Sequence, residues 1–340
     1  MSVTSIPGRG GSLACLLMLL LCATPAHALS APALSLPLAC RLTQTCWVAN
    51  YPDVDPTAAA KDFLCRTRSY DTHDGIDFAI RDLAVMASGM AVLASAAGTV
   101  LNVRDGMQDV AVTDLVARRE VEGRECGNGV LLQHEGGWQT QYCHLRQGSV
   151  SVKPGQQVAL GALLGMVGLS GQSEFPHLHF ALRYNGKAID PFTGNPLVAG
   201  CATEAHSLWQ GEIAYEPVAL YNAGIAEAAP DIDAIRRGSG GEQSLDSGAA
   251  ALVLWVDMLG VQAGDRLRLR IVAPDGAVVV DSGQLIEKSQ ARRFVYAGVR
   301  RTNAQWLPGE YAGEITHQRM SADGELVTTL TTRVSVYSRR

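Results

Sequence analysis

Apolar positions in this chain recur in short runs broken by glycine, and no long stretch holds a helical period. Residues 92–103 predict two short strands joined at Gly98. Gly127-Asn128-Gly129 opens a strand over 130–134, which turns at Glu135-Gly136-Gly137 into a second over 138–145. Alternation along that hairpin sets Tyr142 and His144 on one face and Cys143 on the other, with His134 exposed near the turn. Residues 152–158 and 160–168 continue as short strands, 182–187 form a further hairpin turn, and Asp190-Pro191-Phe192 closes the unit. The charged stretch 104–124 interrupts this pattern as a surface insertion.

From Ala250 the alternation is cleaner. Leu267, Leu269 and Ile271 interleave with Arg266, Arg268 and Arg270, followed by a Pro274-Asp275-Gly276 turn. Further strands are expected near 252–259, 293–299, 310–318 and 326–337. One apolar and one wet face per sheet is the pattern of a small β-sandwich, and the arginines read as its solvated face. Residues 230–237 predict a short helix beside a Gly/Ser loop. The whole is expected to be mainly β.

The N-terminus departs from both patterns. Arg9 precedes an apolar run over 13–23, and Ala26-His27-Ala28 has the small-x-small form of a cleavage site. This predicts a signal peptide over 1–28 and an exported chain, periplasmic or secreted, beginning near Leu29. The run is too short to span a bilayer, so no transmembrane span is expected. Residues 29–64 read as a leader, 65–200 as a first domain, 201–248 as a linker and 249–340 as the second domain.

The 340 residues are 47% hydrophobic and 18% charged, an ordinary globular balance, and a net charge of −5 without a basic-aromatic run argues against nucleic acid. Export changes how the cysteines read. Cys40, Cys46, Cys65, Cys126, Cys143 and Cys201 remain after processing, an even set that predicts disulfides. Cys40 and Cys46 are near enough in sequence to bridge each other. No Cys-x-x-Cys occurs, which disfavours a thiolate metal site.

Two histidine constellations carry the candidate chemistry. His177 and His179 lie two apart after the loop 168–176, so on a strand both imidazoles project into one space. Alone, such a pair is more often structural. His73 and Asp77 flank Gly75 at a loop-to-strand transition, and both offer normal zinc donors. His73, Asp77 and one histidine of the 177/179 pair supply three ligands, leaving a fourth position for water. The other histidine, with His144, remains to move protons and steady charge during peptide hydrolysis.

These residues resemble the lysostaphin/LytM-type zinc endopeptidases of bacterial cell walls. His73-Asp74-Gly75-Ile76-Asp77, Tyr142-Cys143-His144-Leu145 and His177-Leu178-His179-Phe180 stand in the family's order. The resemblance spans roughly 65–195. It implies one zinc per chain on His73, Asp77 and His179, with His144 and His177 catalytic. It also implies an antiparallel sheet of duplicated hybrid motif type flooring an open groove, and peptidoglycan peptides as substrate; the chain itself is expected to be a monomer. A wall-binding or hydrolase-activating member without turnover, or a peptidase of protein substrates, are the alternatives. The family's Ser-Thr-Gly-Pro is Ser173-Glu174-Phe175-Pro176 here, and a Glu that often follows the last Phe is Ala181. Both positions border the groove and bear on substrate preference.

Overall fold

A computed structural model describes residues 1–5, 31–201, 206–240, 243–302, 304–321 and 324–338. Met1–Ser30 separates as a unit of its own, in which residues 1–5 carry no helix or strand; the remainder of the expected signal peptide lies outside the described residues. Among the described residues no helix is long and apolar enough to cross a membrane. The protein is mainly β, as its alternation predicts.

The strands before residue 200 are β1 (Trp47–Asn50), β2 (Ile76–Ala79), β3 (Ala91–Leu93), β4 (Gly98–Arg104), β5 (Asn128–Gln133), β6 (Trp138–Leu145), β7 (Gln157–Val158), β8 (Leu163–Met166), β9 (His177–Tyr184) and β10 (Lys187–Ile189). The main sheet runs β1-β2-β9-β6-β5-β4-β7, with β10 added to β9 and every neighbour antiparallel. Strands β3 and β8 form a second, two-stranded sheet. Alternation on β9 sends Leu178, Phe180 and Leu182 into a core with Ile76, Phe78, Val130, Leu132, Val92 and Leu164. The same alternation leaves His177 and His179 on the opposite face. The register aligns Asp77 with His179 and Cys143 with His179, so three neighbouring strands deliver the site.

Two segments carry more structure than expected. Strand β1, inside the 29–64 leader, is the sheet's edge, and Cys46, Trp47 and Val48 are buried. Four residues are too few to show a period. Strand β11 (Ala219–Ala226), inside the expected linker, pairs along its length with β13 (Ala251–Val261). Its Ala and Gly content is weak in strand propensity, but Gly224 leaves room for the ring of Trp255, 2.7 Å from where a Cβ would sit. Within the 104–124 insertion a short helix α1 (Leu115–Glu120) is capped by the Asp114 carboxylate.

The second half adds β12 (Ser244–Asp246), β14 (Arg266–Val272), β15 (Val278–Leu285), β16 (Gln290–Arg300), β17 (Gly309–Ser321) and β18 (Gly324–Tyr337). A three-stranded sheet β11-β13-β16 and a five-stranded sheet β12-β18-β17-β14-β15 enclose one core of Leu252, Leu254, Val256, Leu267, Leu269, Ile271, Ile315 and Val334. The arginine face of β14 is wet and ion-paired, with Arg268 on Asp281 and Arg270 on Glu314. His317 is buried and lies 2.8 Å from Asp265. Trp47, Ala49 and Ala79 of the first sheet pack on Ala219, Tyr221 and Leu259 of the three-stranded sheet.

The cysteines pair 40–46, 65–201 and 126–143. The first is the pairing that proximity suggested. The second ties the start of the first domain, at Cys65, to its end, at Cys201.

Candidate metal centre

Three donors converge where β2 meets β9. His73 Nε2 lies 3.1 Å from Asp77 Oδ1 and 3.2 Å from His179 Nδ1, and Asp77 Oδ1 lies 3.0 Å from His179 Nδ1. Four-coordinate zinc with bonds of about 2.0 Å separates neighbouring donors by about 3.3 Å, so the triangle fits that ion.

The proton inventory points the same way. His73 Nδ1 donates to the Tyr51 carbonyl at 2.8 Å, and His179 Nε2 faces Asp74 Oδ1 at 3.2 Å. In neutral rings both inward nitrogens therefore carry lone pairs and face a carboxylate. Three mutually facing acceptors repel one another unless a cation or a proton sits between them. Asn50 Nδ2 holds the other oxygen, Asp77 Oδ2, at 2.8 Å. Each of the three donors is thus oriented by a further partner, as metal ligands generally are.

The electrostatics reflect this crowding. Burial opposes ionisation of Asp77, yet His73 and His177 beside it hold its carboxyl well below the usual range. Burial also disfavours a charged His179, but Asp74 and Asp77 outweigh it and push its value up to about 9. Asp74, opposed by burial, is pulled down by His179 and by Arg183, whose Nη2 donates to it at 2.6 Å.

His144 and His177 stand beside the triangle, their ring centroids 4.6 Å apart. His144 Nδ1 donates to the Ser170 carbonyl and His177 Nδ1 to the Phe175 carbonyl, both at 2.8 Å, which turns each Nε2 towards the site. His177 Nε2 lies 3.4 Å from Asp77 Oδ1. Burial, then the neighbouring His177 and His179, hold His144 well below the ordinary imidazole value, so it is neutral. The five residues anticipated from sequence are therefore brought together.

Strand alternation placed Tyr142 wrongly. Tyr142 is fully buried on the core side, its hydroxyl accepting from the Ser95 amide at 2.8 Å. His144 reaches the groove because its φ is +61°, a left-handed residue that breaks the period of two at the strand's end. His134, expected exposed, is buried, with Nδ1 on the Ala97 carbonyl and Nε2 on Thr140 Oγ1. Its imidazole caps the hairpin from inside because both ring nitrogens find partners there. Cys143 is bonded to Cys126 at the groove wall and so carries no thiolate.

The groove is a cleft of about 300 Å³ lined by Tyr70, Glu125, Gln141, Gln172 and Arg183 together with His73, His144 and His179. Tyr70 stacks on His73 with centroids 4.4 Å apart. Sequence reasoning missed Tyr70, Asn50 and Arg183; only the adjacency of Tyr70 to the first histidine motif offered a signal. Gly75 leaves no spare room: a Cβ there would lie 2.5 Å from the Phe180 carbonyl and 2.7 Å from the His179 ring. Gly75→Ala should lower stability by about 1–3 kcal/mol by overpacking and displace His179, checked by thermal denaturation and metal titration.

Fold and site together describe a His–Asp–His centre in an open groove, the layout of a mononuclear metallopeptidase. Residues 71–191 match the profile of Peptidase family M23, and this segment is an M23 domain. Cell division protein DipM of Caulobacter vibrioides is 45% identical over 71 residues, covering 19% of this chain and 11% of that protein. Peptidoglycan DD-endopeptidase ShyA of Vibrio cholerae is 30% identical over 129 residues, covering 38% and 24%. The catalytic domain of lysostaphin from Staphylococcus simulans is 26% identical, covers 36% of this chain and 77% of that one, and has a TM-score of 0.26. The chain spans 11% to 27% of the length of the first curated relatives it matches.

Proposed function

We propose that this chain is an exported, monomeric zinc endopeptidase that hydrolyses peptide bonds in peptidoglycan stems or cross-links. The observation that carries this reading is the donor triangle of His73 Nε2, Asp77 Oδ1 and His179 Nδ1, with edges of 3.0–3.2 Å, bordered by His144 and by His177, whose Nε2 lies 3.4 Å from Asp77 Oδ1. The names of the relatives, among them a peptidoglycan DD-endopeptidase and a DD-carboxypeptidase/endopeptidase, supply the substrate class.

One zinc ion per chain would be held by those three atoms, and when bound it supplies Lewis acidity that lets water attack a carbonyl near neutral pH. The chain's own residues do the rest. His144, kept neutral by burial, accepts the proton of the attacking water at Nε2. His144 then gives that proton to the leaving amine, and His177, whose Nδ1 is fixed on the Phe175 carbonyl, steadies charge on the carbonyl oxygen through an Nε2–H. The sheet floors the cleft, and Tyr70, Gln141 and Arg183 shape the walls along which a peptide lies.

Asp74 orients His179 without touching the ion, so Asp74→Asn should weaken zinc binding roughly 10–100-fold while leaving stoichiometry at saturation unchanged, read by competition with a chelating dye. The reading as a whole is tested by mass spectrometry of fragments released from purified sacculi. Peptide-bond cleavage by wild type and none by His144→Ala supports it. Stoichiometric zinc with no released fragment would favour a wall-binding or activating role.

A further inference from the structure

The one groove-bordering loop that departs from the family's Ser-Thr-Gly-Pro makes a contact outside the catalytic fold. Phe175, where that pattern has glycine, is partly buried against a cluster drawn from both sheets, Trp47, Ala49 and Ala79 of the first and Ala219, Tyr221 and Leu259 of the three-stranded one. Arg292 of β16 sets its guanidinium 5.8 Å from the Phe175 centroid and 5.5 Å from that of Tyr221. Arg292 is itself fixed: Nε donates to the Tyr221 hydroxyl at 2.7 Å, and Nη2 pairs with Asp257 Oδ2 at 3.0 Å. Asp257 is fully buried and also holds Arg236.

On its other side, Phe175 bears directly on the site. Its ring lies 4.9 Å from that of His177. Its carbonyl accepts from His177 Nδ1 and from Ser173 Oγ, each at 2.8 Å. A glycine at this place leaves the loop free to rotate its carbonyl, whereas a ring wedged between two sheets does not. A guanidinium over an aromatic face adds an electrostatic hold to that packing.

We propose that the C-terminal sheet is a built-in positioning element for His177. Asp257 and Tyr221 fix Arg292, Arg292 and the interface fix Phe175, and the Phe175 carbonyl fixes the tautomer and aim of the imidazole. Phe175, Tyr221, Asp257 and Arg292 are positioning residues and touch no substrate. The second half of the chain is then part of the active site instead of a tethered accessory. This deepens the peptidase reading and rests on it for its kinetic test.

The test uses the full-length chain with Phe175→Gly, Phe175→Tyr and Arg292→Gln. Phe175→Gly leaves Asp257 and the main cores of both halves intact and removes one partly buried ring from the cluster between them, so it is the variant that keeps the fold, and in Arg292→Gln the Asp257 carboxylate retains Arg236. On a soluble muropeptide, Phe175→Gly and Arg292→Gln should lower kcat roughly ten- to a hundredfold, with KM within about twofold and zinc content unchanged. Phe175→Tyr should restore kcat. Amide exchange over 172–177 should quicken in the two impaired variants and not in the third. A kcat within about twofold of wild type in both, or a loss carried by KM alone, overturns the proposal. Should wild type cleave no muropeptide, the endopeptidase reading fails and exchange decides alone: faster exchange supports the clamp, and unchanged protection overturns it.

Discussion

His179→Ala should abolish zinc binding and hydrolysis together. The substitution removes one corner of a triangle whose edges are 3.0–3.2 Å and leaves His73 and Asp77 as a two-donor remnant on one short segment. Two protein donors do not make a structural or catalytic zinc site, which takes three or four. Metal analysis of the dialysed protein should fall from about one ion per chain to near zero. In the wild type, the proton competes with the ion for the same atom. His179 is pushed up to about 9 when no cation is bound, so it is protonated at neutral pH and must shed that proton on binding. Apparent affinity should therefore climb about tenfold per pH unit as pH rises towards about 9 and flatten above it, with release of about one proton per ion. A flat affinity profile between pH 6 and 8 would rule out His179 as the proton-bearing ligand.

His144→Ala should separate the metal from the chemistry. His144 contributes no corner to the triangle; its ring lies 4.6 Å from that of His177 and 6.0 Å from that of His179. Zinc content should stay at wild-type level while turnover of sacculi falls about 10²–10⁴-fold, the usual worth of a positioned general base. Stability should fall by about 1–3 kcal/mol, because alanine keeps the left-handed φ of +61° and the backbone bond to the Cys126 carbonyl but leaves the buried Ser170 carbonyl without its imidazole donor. A variant that lost zinc and turnover in parallel would instead place His144 among the ligands.

These two outcomes also mark how far residue pattern reaches. The spacing of His73 and Asp77 around Gly75, and of His177 and His179, was legible because neighbouring extended residues obey a period of two that holds whatever the surroundings. The strands of β9 and β14 were legible for the same reason, with Leu178, Phe180 and Leu182 facing inward and Arg266, Arg268 and Arg270 facing water. Strand β11 was not, because its alanines and glycine carry little propensity and gain their place from the ring of Trp255 across the sheet.

What the sequence determined by itself is a group of candidate donors, His73, Asp77 and the 177/179 pair, in an order and spacing that local backbone geometry can satisfy. What the tertiary structure alone decided is everything that depends on contacts between distant segments. The left-handed turn at His144 sends Tyr142 into the core and the imidazole into the groove, and it is held by Cys126 and Ser170 from other parts of the chain. Tyr51, Asn50, Asp74 and Phe175 orient the functional atoms from three separate loops and strands. Alternation along one strand carries no information about a partner many residues away. Such contacts arise only when packing brings the segments together and each buried polar atom must find a mate.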